Sequence, residues 1–202
     1  MLTRNTQTSL SRRGFSATLC FLFFFLSSSV GFAQSHEFSK DSIPVVNDEV
    51  VFSVKFEYDL KKEEFHRRAY SYLNDKLDPY SGSFITNNED STTSKITDYL
   101  KISGGAISTH AVYMTYNMYL TYQDGYCNMT IKDITYMEKG YYESQEKSDR
   151  KLDMPEYSGK DIMIDEKLRW LFKRNASKNI TEATIERING IIKDLDLAFL
   201  AK

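Results

Sequence analysis

The chain has 202 residues, with 26 Lys and Arg against 28 Asp and Glu, 2 Cys, 9 Gly and 3 Pro. A hydrophobic share of 41% and a charged share of 27% describe an ordinary globular chain and exclude a collagen-like or disordered one. The slightly acidic balance argues against nucleic acid as a partner, because its binders carry a basic footprint.

The N-terminus reads as a targeting segment. Arg4, Arg12 and Arg13 form a basic leader without an acid, an apolar run from Ala17 to Leu26 follows, and small residues end at Ala33. This is the layout of a secretory signal peptide, residues 1–33, cleaved after Ala33. The apolar run falls short of the about 20 residues a bilayer-spanning helix needs, so no transmembrane span is expected after cleavage. Cys20 does not make a lipoprotein signal, because Leu19 stands where a small residue is wanted. Ser11 to Phe15 resembles a twin-arginine signal, but the Phe-rich stretch behind it suits the general secretory route. The expected address is periplasmic or extracellular.

Cleavage leaves 169 residues, and because the leader holds three of the basic residues and none of the acidic ones, their net charge is −5. A chain of that size forms one domain and buries about 70% of its unfolded surface without staples. Cys127 alone remains, which excludes an intramolecular disulfide and predicts a buried thiol.

Residues 34–47 read as a flexible lead-in, and 48–202 as a single domain. Val50 to Tyr58 alternates, with Val50, Phe52, Val54, Phe56 and Tyr58 on one face: a half-buried strand. Asp59 is then placed to cap a helix whose stripe is Phe65, Ala69, Tyr72, Leu73 and Leu77, stopped by Asp78-Pro79. Phe84 to Thr86 predicts a short strand and Asn87 to Ser94 a polar turn region. From Lys95 to Ser103, Ile96, Leu100 and Ile102 point inward, and Asp98 on the same parity predicts a bulge or an edge. Val112 to Gln123 and Tyr126 to Tyr136 form a hairpin around Asp124-Gly125, a strong two-residue turn.

Glu138 to Lys160 is charged and aperiodic and reads as a long loop. A helix with the stripe Ile164, Leu168, Leu171 and Phe172 follows. Asn179 with Glu182 resembles a capping box before a last helix with Ile185, Ile188, Ile192, Leu195 and Phe199 on one face. That stripe covers fewer than three heptads, so a helix laid on a sheet is favoured over a coiled coil.

This order predicts an α+β, two-layer domain: an antiparallel sheet with one helix after the first strand and C-terminal helices packed on one face. On these features, over about residues 48–200, the chain resembles exported bacterial domains of unknown function with a TATA-binding-protein-like fold. The resemblance implies that fold and no catalytic residue, and it does not imply DNA binding.

The chemistry-bearing residues form no complete motif. His36, His66 and His110 lack metal-site spacing, no HExxH or GxSxG occurs, and Gly104-Gly105 lacks the Lys-Ser/Thr of a phosphate loop. Glu63 and Glu64 fit the start of a helix without any catalytic role. Asn128, Asn175 and Asn179 head glycosylation sequons that matter only in a eukaryotic secretory pathway. No catalytic residue, metal or cofactor is expected.

One surface stands out. The outward parity of the central strands gathers Tyr99, Lys101, Tyr113, Asn117, Tyr119 and Tyr126 as the candidate site, with Lys95, Thr97, Asn128 and Lys132 on the same parity: flat apolar rings with polar tips beside lysine and amide groups. The plainer reading is that Tyr and Thr are good strand residues. The expected function is a non-catalytic envelope binding module using this face, with a partner protein or a saccharide-like ligand. The alternatives are an enzyme with scattered site residues, such as His110 with Asp98, and a structural subunit docking through its C-terminal helix. Whether the 138–160 segment covers the face is left open by sequence.

Overall fold

The computed structural model describes residues 37–102, 110–146, 155–168 and 175–201. The expected leader, Gly104-Gly105, Leu171 and Phe172 lie outside them. In chain order the elements are β1 (Val45–Val46), β2 (Glu49–Val50), β3 (Phe52–Glu57), α1 (Lys62–Lys76), β4 (Gly82–Asn87), β5 (Ser91–Ile102), β6 (His110–Gln123), β7 (Tyr126–Glu138), α2 (Lys139–Glu146), β8 (Glu156–Ser158), α3 (Gly159–Met163) and α4 (Ala176–Leu200). The main sheet runs β3-β7-β6-β5-β4, antiparallel throughout, with β8 also pairing β7.

Period-two patterning explains the sheet. Phe52, Val54 and Phe56 of β3 are buried and the residues between them are exposed. Met114, Tyr116, Met118, Leu120 and Tyr122 of β6 and Cys127, Met129 and Ile131 of β7 join the same face. Phe65, Ala69 and Leu73 of α1 and the stripe Ile185, Ile188, Ile192, Leu195 and Phe199 of α4 close over it. Ridges of aliphatic residues on helices and on a pleated sheet thus share one core, and α4 is a helix laid on a sheet. Its apolar face is used within the chain. Phe199 sits at the centre of an aromatic cluster, with ring centroids 5.1 Å from Phe65 and 5.3 Å from Phe56.

Several local expectations are corrected. Asp59 does not cap α1; the helix begins after Lys61, and the Lys62 N–H donates to Asp124 Oδ1 at 2.9 Å, so the hairpin turn supplies the cap from 62 residues away. The polar turn is shorter than Asn87 to Ser94: β5 starts at Ser91, and the Asn88 side chain accepts from the Asp90 and Ser91 N–H groups to close the turn. Asn179 and Glu182 lie inside α4, whose N-cap is Asn175, and Glu182 pairs with Lys40. Glu138 to Lys160 is not a long loop: the end of β7, α2, β8 and the start of α3 occupy its described part. The helix expected around Ile164 and Leu168 is instead α3, ending at Met163 with Ile164 exposed. Ser158 and Asp161 form the capping box that starts it.

Asp98 produces no bulge. Its register with Met114 is regular, and its inward carboxylate meets Arg187 of α4. The bulge lies on β7, where the register slips between Thr115 and Asn117 and Asp133 takes φ 56°. One extra residue flips the parity, so Ile134 and Tyr136 turn into the core and Thr135 joins the opposite face. Cys127 is fully buried and free.

Candidate functional site

With helices on one face of the sheet, the other presents the polar residues of β5, β6 and β7. The segment after β7 decides how open that face is. Tyr142 of α2 stacks on Tyr113 of β6, with centroids 4.0 Å apart and planes at 21°. Helix α2 therefore stands over one end of the face and leaves the rest uncovered by any described element.

The six residues expected there separate into groups. Tyr99 and Tyr113 are register partners, with ring centroids 5.3 Å apart, and the Lys139 ammonium lies 5.4 Å from the Tyr99 ring. Asn117 and Tyr119 meet at Asp133: the Asn117 amide donates to Asp133 Oδ2 at 2.9 Å and the Tyr119 hydroxyl at 3.1 Å. The Lys132 ammonium lies 5.0 Å from the Tyr119 ring. Tyr126 sits apart at the hairpin end, donating to Gln123 Oε1 at 2.6 Å with Lys55 over its ring. Lys101 is exposed near the opposite end of β5. Rings already faced by a neighbouring cation or ring offer less stacking area than bare ones.

Between these groups runs a groove of about 450 Å³. Its floor is laid out by the strand register. Thr97, Thr115 and Thr135 form one straight row across β5, β6 and β7, and Lys95 lies opposite Asn117 in the next. Met137, Tyr142 and Gln145 form a wall, and Glu156 of β8 closes the far corner. Thr97 and Thr115 share a hydroxyl hydrogen bond of 3.1 Å. The floor depends on the bulge, since without the extra residue at Asp133 Ile134 and Tyr136 would occupy it.

Two titratable groups of this face, Asp133 and Tyr119, are shifted by their surroundings. The hydrogen bond from the Asn117 amide, with that from the Tyr119 hydroxyl and the Lys132 charge, holds the Asp133 carboxyl below the usual carboxylate range although burial pushes the other way. Burial and the bond to Asp133 push the Tyr119 phenol upward. Near neutrality Asp133 is thereby held ionised and Tyr119 protonated.

Among the described residues, neither a histidine nor Asp98 lines the groove. His66 on α1 meets Asn87 Oδ1 through Nε2 at 2.9 Å. His36 is outside the described residues, and so is the side chain of His110, whose backbone pairs with Ile102. Asp98 is on the helix-covered face. Among the described residues no group of three or more His, Cys, Asp or Glu is placed to hold a metal ion, and no helix is long and apolar enough to cross a membrane.

Sequence reasoning put Lys95, Thr97 and Asn117 on the outward parity and missed Thr135 and Tyr142 as lining residues. A signal for the bulge is present in the chain: the buried apolar residues Ile131 and Ile134 stand three apart where a regular strand spaces them by two. Nothing local marks Tyr142 as a wall, because its place follows from how α2 folds back.

The element order and the packing of α1 and α4 on one face of the antiparallel sheet define the class: an α+β domain with a TATA-binding-protein-like fold. The same fold is found in a DUF4468 family protein from Bacteroides ovatus, with a TM-score of 0.62 and 14% identity over 79% of this chain and 91% of that one. A TBP-like protein from Parabacteroides distasonis is similar at a TM-score of 0.62 and 15% identity, over 78% of this chain and 97% of that one. No protein-family model matches the chain, and no curated protein does. At these identities the likeness establishes the fold, including the TATA-binding-protein-like topology expected from sequence, and no activity comes with it.

Proposed function

We propose that the protein is an exported, non-catalytic binding module of the cell envelope and that the groove on the polar sheet face is its recognition surface. The observation that carries this reading is the groove itself. A floor of hydroxyl and amide groups and a wall bearing an aromatic ring is the composition of a small-ligand site, and its volume is in the usual range for one. Its one hydrogen-bonded carboxylate is held ionised by Asn117 and Tyr119, which suits orientation of a ligand. The ligand classes that fit include saccharide-like molecules and short segments of a partner protein. Export rests on the leader ending at Ala33.

The competing readings find less support. An enzyme centred on Asp98 would have to release that carboxylate from Arg187, and docking through the α4 stripe would have to expose residues that fill the core.

The experiment is a backbone-amide NMR titration against a panel of oligosaccharides, amino acids and short peptides. A member that shifts the amides around Thr97, Thr115 and Thr135, with binding weakened by Asn117→Ala and Thr135→Val, supports the groove. A panel that leaves these amides unmoved, or a turnover abolished by Asp98→Ala, defeats the reading. N-terminal sequencing of the envelope fraction tests export: Gln34 first supports it and Met1 first removes it.

A further inference from the structure

We propose that the groove takes a dipolar ligand of the short-peptide class, its carboxylate at Lys95 and its ammonium at Glu156; this rests on the groove being the recognition surface. Lys95 and Glu156 occupy opposite corners. Lys95 is on β5 in the row of Asn117, whereas Glu156 is on β8 opposite Met137, in the row of Tyr113. They are thus three strands and two rows apart, which places their Cα atoms roughly 20 Å from each other at ordinary sheet spacings. Were both side chains to swing over the groove they line, roughly half of that span would be left for a ligand. Three extended residues fill it at about 3.3–3.6 Å each.

The two charges are the unmatched ones. Asp133 is bonded by Asn117 and Tyr119 and neighboured by Lys132, and Lys139 pairs with Glu143. Among the described residues neither Lys95 nor Glu156 has an ion-pair partner. Between them the threonine row is neutral, and the remaining charge of the lining, Asp133, is the one engaged by Asn117 and Tyr119. Thr97 and Thr115 keep further hydrogen-bonding capacity beyond the bond they share, and the Thr135 hydroxyl forms none within the described residues, so all three suit the amides of a peptide. Met137 and Tyr142 offer the apolar side against which its methylene groups pack. A neutral saccharide would use the floor and leave both corner charges idle. A ligand charged at only one end would leave one of them idle.

The test uses the protein with triglycine, N-acetyl-triglycine, triglycine amide and a neutral trisaccharide, followed by amide NMR shifts. Triglycine is expected to move the amides around Thr97, Thr115 and Thr135, and each blocked end to weaken binding about tenfold, the loss of one charge-assisted contact. Lys95→Met should abolish the sensitivity to the C-terminal amide alone, and Glu156→Gln the sensitivity to the N-acetyl group alone. Equal binding of free and blocked peptides overturns the proposal, as does a groove unmoved by triglycine. If the trisaccharide shifts the groove and triglycine does not, the dipolar ligand is wrong and the groove still stands as a recognition surface. If no small ligand of the wider panel reaches it, the parent reading falls as well.

Discussion

Arg187 of α4 holds Asp98 of β5 with two parallel hydrogen bonds, Nε to Oδ2 at 2.7 Å and Nη2 to Oδ1 at 2.8 Å. The Tyr116 hydroxyl donates to the same carboxylate at 2.9 Å, so a charge on the inward face of a strand is fully engaged. The Asp98 side chain retains 16% exposure and that of Arg187 31%, which places the pair at the margin of the core. Removing one partner leaves the other charge poorly solvated. Arg187→Met and Asp98→Ala should therefore each cost about 2–4 kcal/mol, near the lower end for buried pairs. The double replacement Asp98→Leu with Arg187→Met should recover much of that loss. Urea unfolding of the three variants checks this, and single variants within about 0.5 kcal/mol of the parent would show that the pair is idle.

Glu64 joins α1 to the end of α4. Its carboxylate accepts from Arg67 and from Arg68, and the Arg68 guanidinium also donates to the Phe199 carbonyl at 2.6 Å, capping the last turn of α4. The bonds from Arg67 and then Arg68 bring the Glu64 carboxyl down to about 2. A carboxyl depressed on folding contributes stability above its unfolded value of about 4.3, and that contribution is lost as pH falls toward the folded value. Glu64→Gln should accordingly flatten the decline in stability between about pH 4 and 2. Thermal midpoints measured across that interval test it, and parallel curves for variant and parent would refute the assignment.

Cys127 lies on the inward face of β7, and burial pushes its thiol up to about 12. A thiolate reacts and a buried thiol does not. A disulfide reagent should label Cys127 in the folded protein only at the rate of unfolding, and immediately in denaturant. Fast labelling under native conditions at pH 8 would contradict the packing described.

Ser94 presents a buried hydroxyl with no hydrogen-bond partner among the described residues. An unpaired buried polar group costs about 1–3 kcal/mol, and alanine removes it while leaving little space. Ser94→Ala should raise stability by up to about 1 kcal/mol. A destabilised variant in calorimetry would point to an interaction with a bound water or with residues outside those described.

The outcome along the chain follows the range of the forces involved. Alternation in Val50 to Tyr58, the hairpin about Asp124-Gly125 and the stripe from Ile185 to Phe199 were all legible, because each is written by burial of one face over consecutive residues. Asp98 was legible as an anomaly and not as an ion pair, since its partner stands 89 residues away. The cap on α1 was assigned to the nearest acid, Asp59, whereas Asp124 supplies it through the folded hairpin.

Of the candidate site, Asn117 and the polar parity of the central strands followed from the two-residue period alone. The floor completed by Thr135 depends on a single extra residue at Asp133, which local parity carries straight past. Composition and periodicity thus set the class of this domain, its sheet and its two covering helices, because hydrophobic burial acts on local pattern. The groove, its Tyr142 wall and the placing of Lys95 and Glu156 at opposite corners came only from strand register and the return of α2, which join residues too distant in sequence for any local pattern to encode.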